Sequence, residues 1–461
     1  MGPLAIGPSA DAVTVDPARQ SLQGEVRVPG DKSISHRAAI MAAMGKGDSV
    51  IRGFSPSADC ASTLRALREL GVDLRREGDT VTIHSGGVEG WKEPEDVLDL
   101  GNSGTSMRLL AGVLAGCEGL FVLTGDDSLR RRPMGRIVEP LRRMGAIIHG
   151  RKGGQLAPLV IKGQHLRGAE FSLEVASAQV KSCLLLAGIM GAGETWVEEP
   201  LPTRDHTERL LAAMGVEIGR RPAAGTGHPP AVGVRGPAPL SGLDFRVPGD
   251  PSGAAFLVVA GCLVPGSRIV LPSVGLNPYR IGFLTVLARM GAKVEVAPAG
   301  EWPEPVGDLV VTAGELQATE IGPEEVPSLI DELPILAVAA TRAHGTTRVS
   351  GAGELRVKES DRLATVAAEL SRLGADIQET PDGWIIRGPC ALRGGRVSAW
   401  QDHRLAMSWA VAALVAQDTV TVAGAGSAAV SYPGFFRDLA DLGATVGGLA
   451  DLGATVDGGE E

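Results

Sequence analysis

The densest chemistry in the chain lies in Pro29-Gly30-Asp31-Lys32-Ser33-Ile34-Ser35-His36-Arg37. A β-type run precedes this segment and an apolar helical run follows it. Such a junction aims free backbone N–H groups and the positive end of a helix at one spot. Lys32 adds a point charge, Ser33 a hydroxyl, and Arg37 a forked donor one turn later. The set suits a phosphate or a carboxylate; the blander reading is an N-cap flanked by solvated cations. Gly101-Asn102-Ser103-Gly104-Thr105-Ser106-Met107-Arg108 is a second such loop, whose small residues permit close backbone approach to a ligand. It matches neither the Walker pattern nor GxGxxG. Arg130-Arg131-Arg132 stands before the helix-starting Pro133, with Arg132 placed to act as a clamp.

Three further clusters lie in the C-terminal half. Asp331-Glu332 precedes Leu333-Pro334, where a carboxylate is either a capping group or a general base. Arg356-Val357-Lys358-Glu359-Ser360-Asp361-Arg362 packs alternating charges into a helix start, a pattern that in isolation reads as salt-bridged surface. Asp402-His403-Arg404 fills the same kind of slot near the end, and His403 has no partner histidine at metal-ligand spacing.

These clusters are positioned by a repeat. Six times the chain writes a β-type run, a polar loop, a small-residue apolar helix, a Gly turn and further β-type runs. The remaining polar loops are Ala176-Ser177-Ala178-Gln179 and Pro248-Gly249-Asp250-Pro251-Ser252. A second helix in each copy ends in Leu70-Gly71, Met144-Gly145, Met214-Gly215, Met290-Gly291, Leu373-Gly374 or Leu442-Gly443, where Gly supplies a left-handed C′ residue. Each unit therefore reads β-α-β-α-β-β. Val28-Pro29-Gly30-Asp31 recurs as Val247-Pro248-Gly249-Asp250, which predicts two halves of three units with chain crossings at both sites. Residues 1–20, rich in Pro, Gly and Ala and without periodicity, read as dispensable, as does the second of two DLGATV hexapeptides, at 451–456.

Composition narrows the class. With 461 residues, two or more domains are expected. Aromatic content of 3% leaves Leu, Val, Ile and Ala to fill the cores, and 63 Gly residues fit many tight turns. A net charge of -10 and no aromatic-plus-basic cluster argue against nucleic-acid binding, so an anion site has to be a local basic pocket. Cys60, Cys117, Cys183, Cys262 and Cys390 are scattered, which predicts reduced, mostly buried thiols and no metal site. No secretory pattern opens the chain, and the apolar runs at 254–264 and 409–416 are too short to span a bilayer. A cytoplasmic protein is the expectation.

Taken together, GDKSISHR, GNSGTSMR, RRRP, SAQVKS, RDHTER, LRVKESDR and DHRLAM, in that order over residues 22–442, resemble the enolpyruvyl transferase family. The resemblance implies an α/β chain of two similar domains, each of three β-α-β-α-β-β repeats (an inside-out α/β barrel), closing over the ligands. It places one domain at 32–247 and the other at 1–31 plus 248–461. The implied reaction moves the enolpyruvyl group of phosphoenolpyruvate to the 5-hydroxyl of shikimate 3-phosphate and releases phosphate, on the route to chorismate and the aromatic amino acids. It requires no metal or organic cofactor, and a monomer acting on small molecules alone is expected.

Carried over by motif, Lys32 touches both substrates. Ser33, Arg37, Ser177, Ala178, Gln179, Thr203, Asp331 and Lys358 hold shikimate 3-phosphate; Gly104, Arg132, Gln179, Arg362 and Arg404 surround phosphoenolpyruvate. Asp331 accepts the hydroxyl proton, and Glu359 delivers one to the methylene with Lys32 or Lys358 assisting. GDKS, SAQVK and RDHTE resemble the family's second subgroup, known for members less sensitive to glyphosate. Three positions depart from family patterns: Val430-Ser431-Tyr432-Pro433 lacks a Lys found in some members, Glu354 stands where some have Asn, and Tyr279 replaces the subgroup's Thr. Gly104 is retained, so at most partial insensitivity to glyphosate is expected. The sister enzyme acting on UDP-N-acetylglucosamine typically carries a reactive Cys in the loop that corresponds to 124–133, which has none here. A non-catalytic scaffold is expected to lose Lys32, Asp331, Glu359 or Arg404, and all four are present.

Overall fold

The computed structural model describes residues 11–223 and 230–450. Among the described residues, six four-stranded mixed sheets carry the repeat. In the sheet of Leu98–Asp99, Leu120–Thr124, Ile147–Gly150 and Leu156–Lys162, the spatial order is first, second, fourth, third. The first two strands are parallel, as a helical crossover through Gly104–Leu114 requires, and the other pairings are antiparallel. The sheets that begin at Glu170–Ser172 and Glu320–Ile321 follow the same order.

Two sheets take their first strand from elsewhere in the chain. Asp244–Arg246 pairs parallel with Lys46–Arg52, and Gln23–Glu25 pairs parallel with Arg268–Gly275. Each of these strands lies just ahead of a VPGD turn and belongs to a different sheet from the one that follows that turn. By internal contacts the chain divides into one unit of residues 29–248 with 301–304, and another that includes residues 11–28, 249–300 and 305–450. Each unit has its own apolar core.

The expectation that residues 1–20 are dispensable is corrected for 11–20, and residues 1–10 lie outside the described residues. Val13–Val15 forms a strand of the sixth sheet, antiparallel to both Val420–Ala423 and Val446–Gly447. Val13 and Val15 are both 0% exposed. A three-residue strand is too short to show a period, and its place is set by the sheet it completes. Asp441-Leu442-Gly443-Ala444-Thr445-Val446 ends a helix and begins strand Val446–Gly447, whereas the copy at 451–456 lies outside the described residues.

The six inner helices, Lys32–Met44, Gly104–Leu114, Ala178–Met190, Pro251–Leu263, Leu333–Arg342 and His403–Leu414, are buried on nearly every face. Their Ala, Gly and Ser content permits close packing all round, so they show little of the one-sided apolar stripe of a surface helix. The outer helices end as the glycines predict. Gly71, Gly145, Gly215, Gly291, Gly374 and Gly443 have φ between +84° and +113°. The residue after each Gly donates its N–H back to a Leu carbonyl five positions earlier, at 2.9–3.2 Å, the longer bond of a Schellman turn. These stops set each outer helix's length and so the register of the strand that follows. Among the described residues no helix is long and apolar enough to cross a membrane.

Candidate active site

Five of the six inner helices start with a side chain capping the backbone: Asp31, Ser103, Ser177, Asp250 and Asp402 each accept a main-chain N–H of the first turn. The polar loops are therefore held against helix starts, where unpaired N–H groups and the macrodipole favour anions. The exception is Leu333–Arg342, which has no side-chain cap at Glu332.

In the 29–248 unit, Lys32 Nζ lies 3.0 Å from Asp59 Oδ2, with both side chains largely buried. Arg37 is buried and fully committed to its surroundings. Its Nε donates to Thr207 Oγ1 at 2.9 Å, Nη1 to the Ser33 carbonyl at 2.9 Å and Nη2 to Ser182 Oγ at 2.8 Å. Burial and the neighbouring Arg204 lower its guanidinium to about 10, against the opposing pull of Glu208, Asp31 and Glu304. Arg37 thus stiffens the Ser33 loop from behind. Arg204 reaches the front of that loop, with Nη1 3.4 Å from Ser33 Oγ.

Thr203 faces inward. Its hydroxyl donates to Glu199, and its carbonyl accepts from Lys181 Nζ at 3.2 Å. The buried Lys181 sits between Glu199 at 2.7 Å and Glu208 at 2.8 Å. Thr203 thus turns toward the buried Glu199 and Lys181, whereas Arg204, one residue on, reaches Ser33.

Around Gly104, Arg108 donates to Gln179 Oε1, and Gln179 Nε2 donates to Thr105 Oγ1 at 2.9 Å. Arg132 Nη2 donates to Asn102 Oδ1 at 2.7 Å. A Cβ built on Gly104 would lie 2.9 Å from Arg108 Nη1 and 3.1 Å from Arg132 Nη1. The two guanidiniums occupy the space a side chain would need. Ser177 caps the helix beginning at Ala178, accepting from Val180 N at 3.4 Å.

In the other unit, Asp331 is the centre. Its side chain is 14% exposed and four cations face it: Lys358 Nζ and Arg362 Nη1 at 3.6 Å, Arg404 Nη2 at 3.7 Å and Arg280 Nη1 at 3.9 Å. All four distances exceed hydrogen-bond length. Asp331 does not cap the following helix, which removes the capping alternative left open by the sequence. Arg362 is locked from behind by Asp402, through Nε at 2.8 Å and Nη2 at 3.1 Å. Its Nη2 also donates to Glu359 Oε2 at 2.7 Å. Its Nη1 is buried without a hydrogen-bond partner and lies toward Asp331. The Arg356-to-Arg362 segment thus joins Asp331 and Asp402 as well as making salt bridges at the surface.

Sequence reasoning singled out neither Arg204 nor Arg280 as part of these clusters, and took Glu332 only together with Asp331. Arg280 ends Asn277-Pro278-Tyr279-Arg280 and donates to Asp250 Oδ1 at 3.0 Å and Ser252 Oγ at 2.7 Å. Its signal was an arginine two residues after a turn-forming Asn-Pro, a pattern too common to single out alone. Among the described residues no group of three or more His, Cys, Asp or Glu has the arrangement of a metal site.

The profile of EPSP synthase (3-phosphoshikimate 1-carboxyvinyltransferase) matches residues 17–439. A 3-phosphoshikimate 1-carboxyvinyltransferase of Shouchella clausii (strain KSM-K16) is 50% identical over 429 residues, covering 92% of this chain and 97% of that protein. One of Synechococcus sp. (strain JA-3-3Ab) is 51% identical over 442 residues, covering 95% and 98%. The solved EPSP synthase of Acinetobacter baumannii superposes with a TM-score of 0.83 at 40% identity, covering 94% of this chain and 99% of that one. The enolpyruvyl transferase NikO of Streptomyces tendae shares the fold at 20% identity, with a TM-score of 0.75. With a profile spanning nearly the whole chain and relatives at half identity over more than nine-tenths of it, this chain belongs to the EPSP synthase family.

Proposed function

We propose that the chain transfers the enolpyruvyl group of phosphoenolpyruvate to the 5-hydroxyl of shikimate 3-phosphate, as the names of its relatives imply. The observation that carries this reading is Asp331, a carboxylate faced by Lys358, Arg362, Arg404 and Arg280. Cations converging on one carboxylate supply the charge that two anionic substrates require.

Asp331 takes the proton of the 5-hydroxyl as that oxygen bonds to C2 of phosphoenolpyruvate, while C3 gains a proton and becomes a methyl group. The tetrahedral adduct then loses a C3 proton, the C2–O bond to phosphate breaks, and inorganic phosphate leaves. Glu359 is assigned the C3 proton in both directions, with Lys32 or Lys358 assisting. Arg362 Nη2 holds the Glu359 side chain in place through a 2.7 Å bond to Oε2. Arg132, Arg362, Arg404, Gln179 and the backbone at Gly104 are assigned to phosphoenolpyruvate. Lys32, Ser33, Ser177, Ala178, Gln179 and Lys358 are assigned to shikimate 3-phosphate, with Arg204 added on the strength of its approach to Ser33. Arg37 and Thr203 support that group from within.

The subgroup with reduced glyphosate sensitivity is part of the same proposal, supported by SAQVK and RDHTE, whose Lys181 and Glu208 form a buried ion pair. Gly104 keeps room for the inhibitor, so tolerance is partial. A cytoplasmic monomer completes the reading. Phosphate release is measured with phosphoenolpyruvate plus shikimate 3-phosphate, and again with UDP-N-acetylglucosamine as acceptor. Release with the first acceptor is expected; release only with the second overturns the assignment.

A further inference from the structure

Next to Asp331 stands a second carboxylate that the reaction does not use. Glu332 is 0% exposed. Its Oε1 accepts from Ser252 Oγ and lies 3.9 Å from Arg280 Nη1 and 3.7 Å from Arg404 Nη1. Its Oε2 is buried without a hydrogen-bond partner. The same two guanidiniums also face Asp331, at 3.9 and 3.7 Å. Two adjacent carboxylates therefore straddle one pair of arginines, one at the surface of the site and one beneath it.

The charged groups seen to face this pair come from several elements. Asp250 and Ser252 come from the start of helix Pro251–Leu263, Arg280 from the turn before Gly282–Arg289, and Arg404 from His403–Leu414. Lys358 and Arg362 face Asp331 from its other side. Asp250 already occupies one edge of Arg280. If Glu332 were ionised, it and Asp331 together would offset both arginines, leaving little net positive charge for an anion. Burial, the largest influence, raises the Glu332 carboxyl; Arg280 and Arg404 oppose this, and Asp331 reinforces it. Desolvation of an oxygen with no donor is most cheaply relieved by a proton.

We propose that Glu332 is a positioning residue of the phosphoenolpyruvate subsite: it orients Arg404 and Arg280 from beneath and takes up a proton from solvent as the anion binds. The inference rests on the reading of Asp331 and Arg404 given above. Proton uptake frees Arg404 to pair with the ligand while Asp331 stays ionised as base. Binding and protonation are then linked, and apparent affinity for phosphoenolpyruvate falls as pH rises through the Glu332 titration.

The test is the pH profile of KM for phosphoenolpyruvate at saturating shikimate 3-phosphate, for the full chain and for Glu332→Gln. Glutamine keeps the shape but cannot exchange the proton. In the wild type, KM is expected to rise about tenfold per pH unit on the alkaline limb, and in E332Q this limb is expected to flatten. Coincident profiles overturn the proposal while leaving the reaction assignment intact. Absence of phosphate release by the wild type overturns the assignment and the proposal with it. Should E332Q fail to fold, infrared difference spectra of the wild type on adding inorganic phosphate decide the matter. A protonated-carboxyl band is expected to appear, and its absence overturns the proposal.

Discussion

Asp331→Asn separates the two roles a carboxylate among cations can play. The substitution keeps the shape and removes the charge. If Asp331 is the base, turnover loses what general base catalysis supplies, ~10²–10⁴-fold, or about 3–5 kcal/mol of barrier. The effect on binding has the opposite sign. Lys358, Arg362, Arg404 and Arg280 lie 3.6–3.9 Å from the carboxylate and partly spend their charge on it. A unit charge about 4 Å from an incoming anion is worth about 4 kcal/mol in an effective dielectric of about 20 before solvent competes. Losing that repulsion cannot weaken an anionic substrate. The assay is steady-state phosphate release with each substrate varied, together with direct titration of shikimate 3-phosphate. The expected result is a fall of at least a hundredfold in kcat with KM for phosphoenolpyruvate level or lower. A rise in KM that matches the fall in kcat would refute the reasoning, because Asp331 would then be holding a ligand and not moving a proton.

Gly104→Ala places a methyl group where Arg108 Nη1 and Arg132 Nη1 now sit, at 2.9 and 3.1 Å. Both are ends of flexible side chains, so the fold is expected to survive, and one charge-assisted hydrogen bond to the anion is expected to be lost. That is about 1.5–3 kcal/mol, read as a rise of ~10–100-fold in KM for phosphoenolpyruvate with a smaller change in kcat. Val13→Ala with Val15→Ala strips the apolar face from the strand that completes the sixth sheet and is expected to cost about 2–5 kcal/mol, seen as a lower urea midpoint. Burial pushes the thiols of Cys60, Cys117, Cys183 and Cys262 up to about 12. The stability they contribute is whole below about pH 9, the ordinary thiol range, and is lost as pH rises toward 12, by about 1.4 kcal/mol per thiol per pH unit. Alkaline unfolding should therefore move upward when Cys262 is replaced by Ala in a background that tolerates the smaller side chain, and an unmoved transition would exclude this thiol as a contributor.

What the sequence revealed and what it hid divide along physical lines. The six outer-helix stops were legible because a left-handed C′ residue selects Gly, and Gly71 through Gly443 repeat that demand at near-regular spacing. The inner helices were legible as apolar runs behind polar loops, and the α/β class followed. Val13–Val15 was not, because three residues carry no period and the strand exists only through Val420–Ala423, some four hundred positions away. At the site, Lys32 and Arg362 announced themselves through dense local motifs. Arg204, Arg280 and Glu332 did not, because their meaning comes from partners brought by other repeats: Ser33 for Arg204, Ser252 for Glu332, Asp250 for Arg280. Thr203 is the complementary case: its motif drew attention to it, but its hydroxyl bonds the buried Glu199, a partner no local pattern announces.

The exchanged strands also shape how the polypeptide is made. Residues 29–248 hold every strand of their own three sheets in one stretch, ending with Asp244–Arg246. The other unit has no such luxury: Leu22 N–H donates to Ser267 Oγ across 245 positions, and Val13–Val15 waits for Val420–Ala423. During synthesis at ~5–20 residues per second, the first strands to leave the ribosome spend tens of seconds without partners while an entire lobe matures behind them. A nascent chain that stops early can therefore fold one lobe and never the other, leaving open sheet edges for quality control to read.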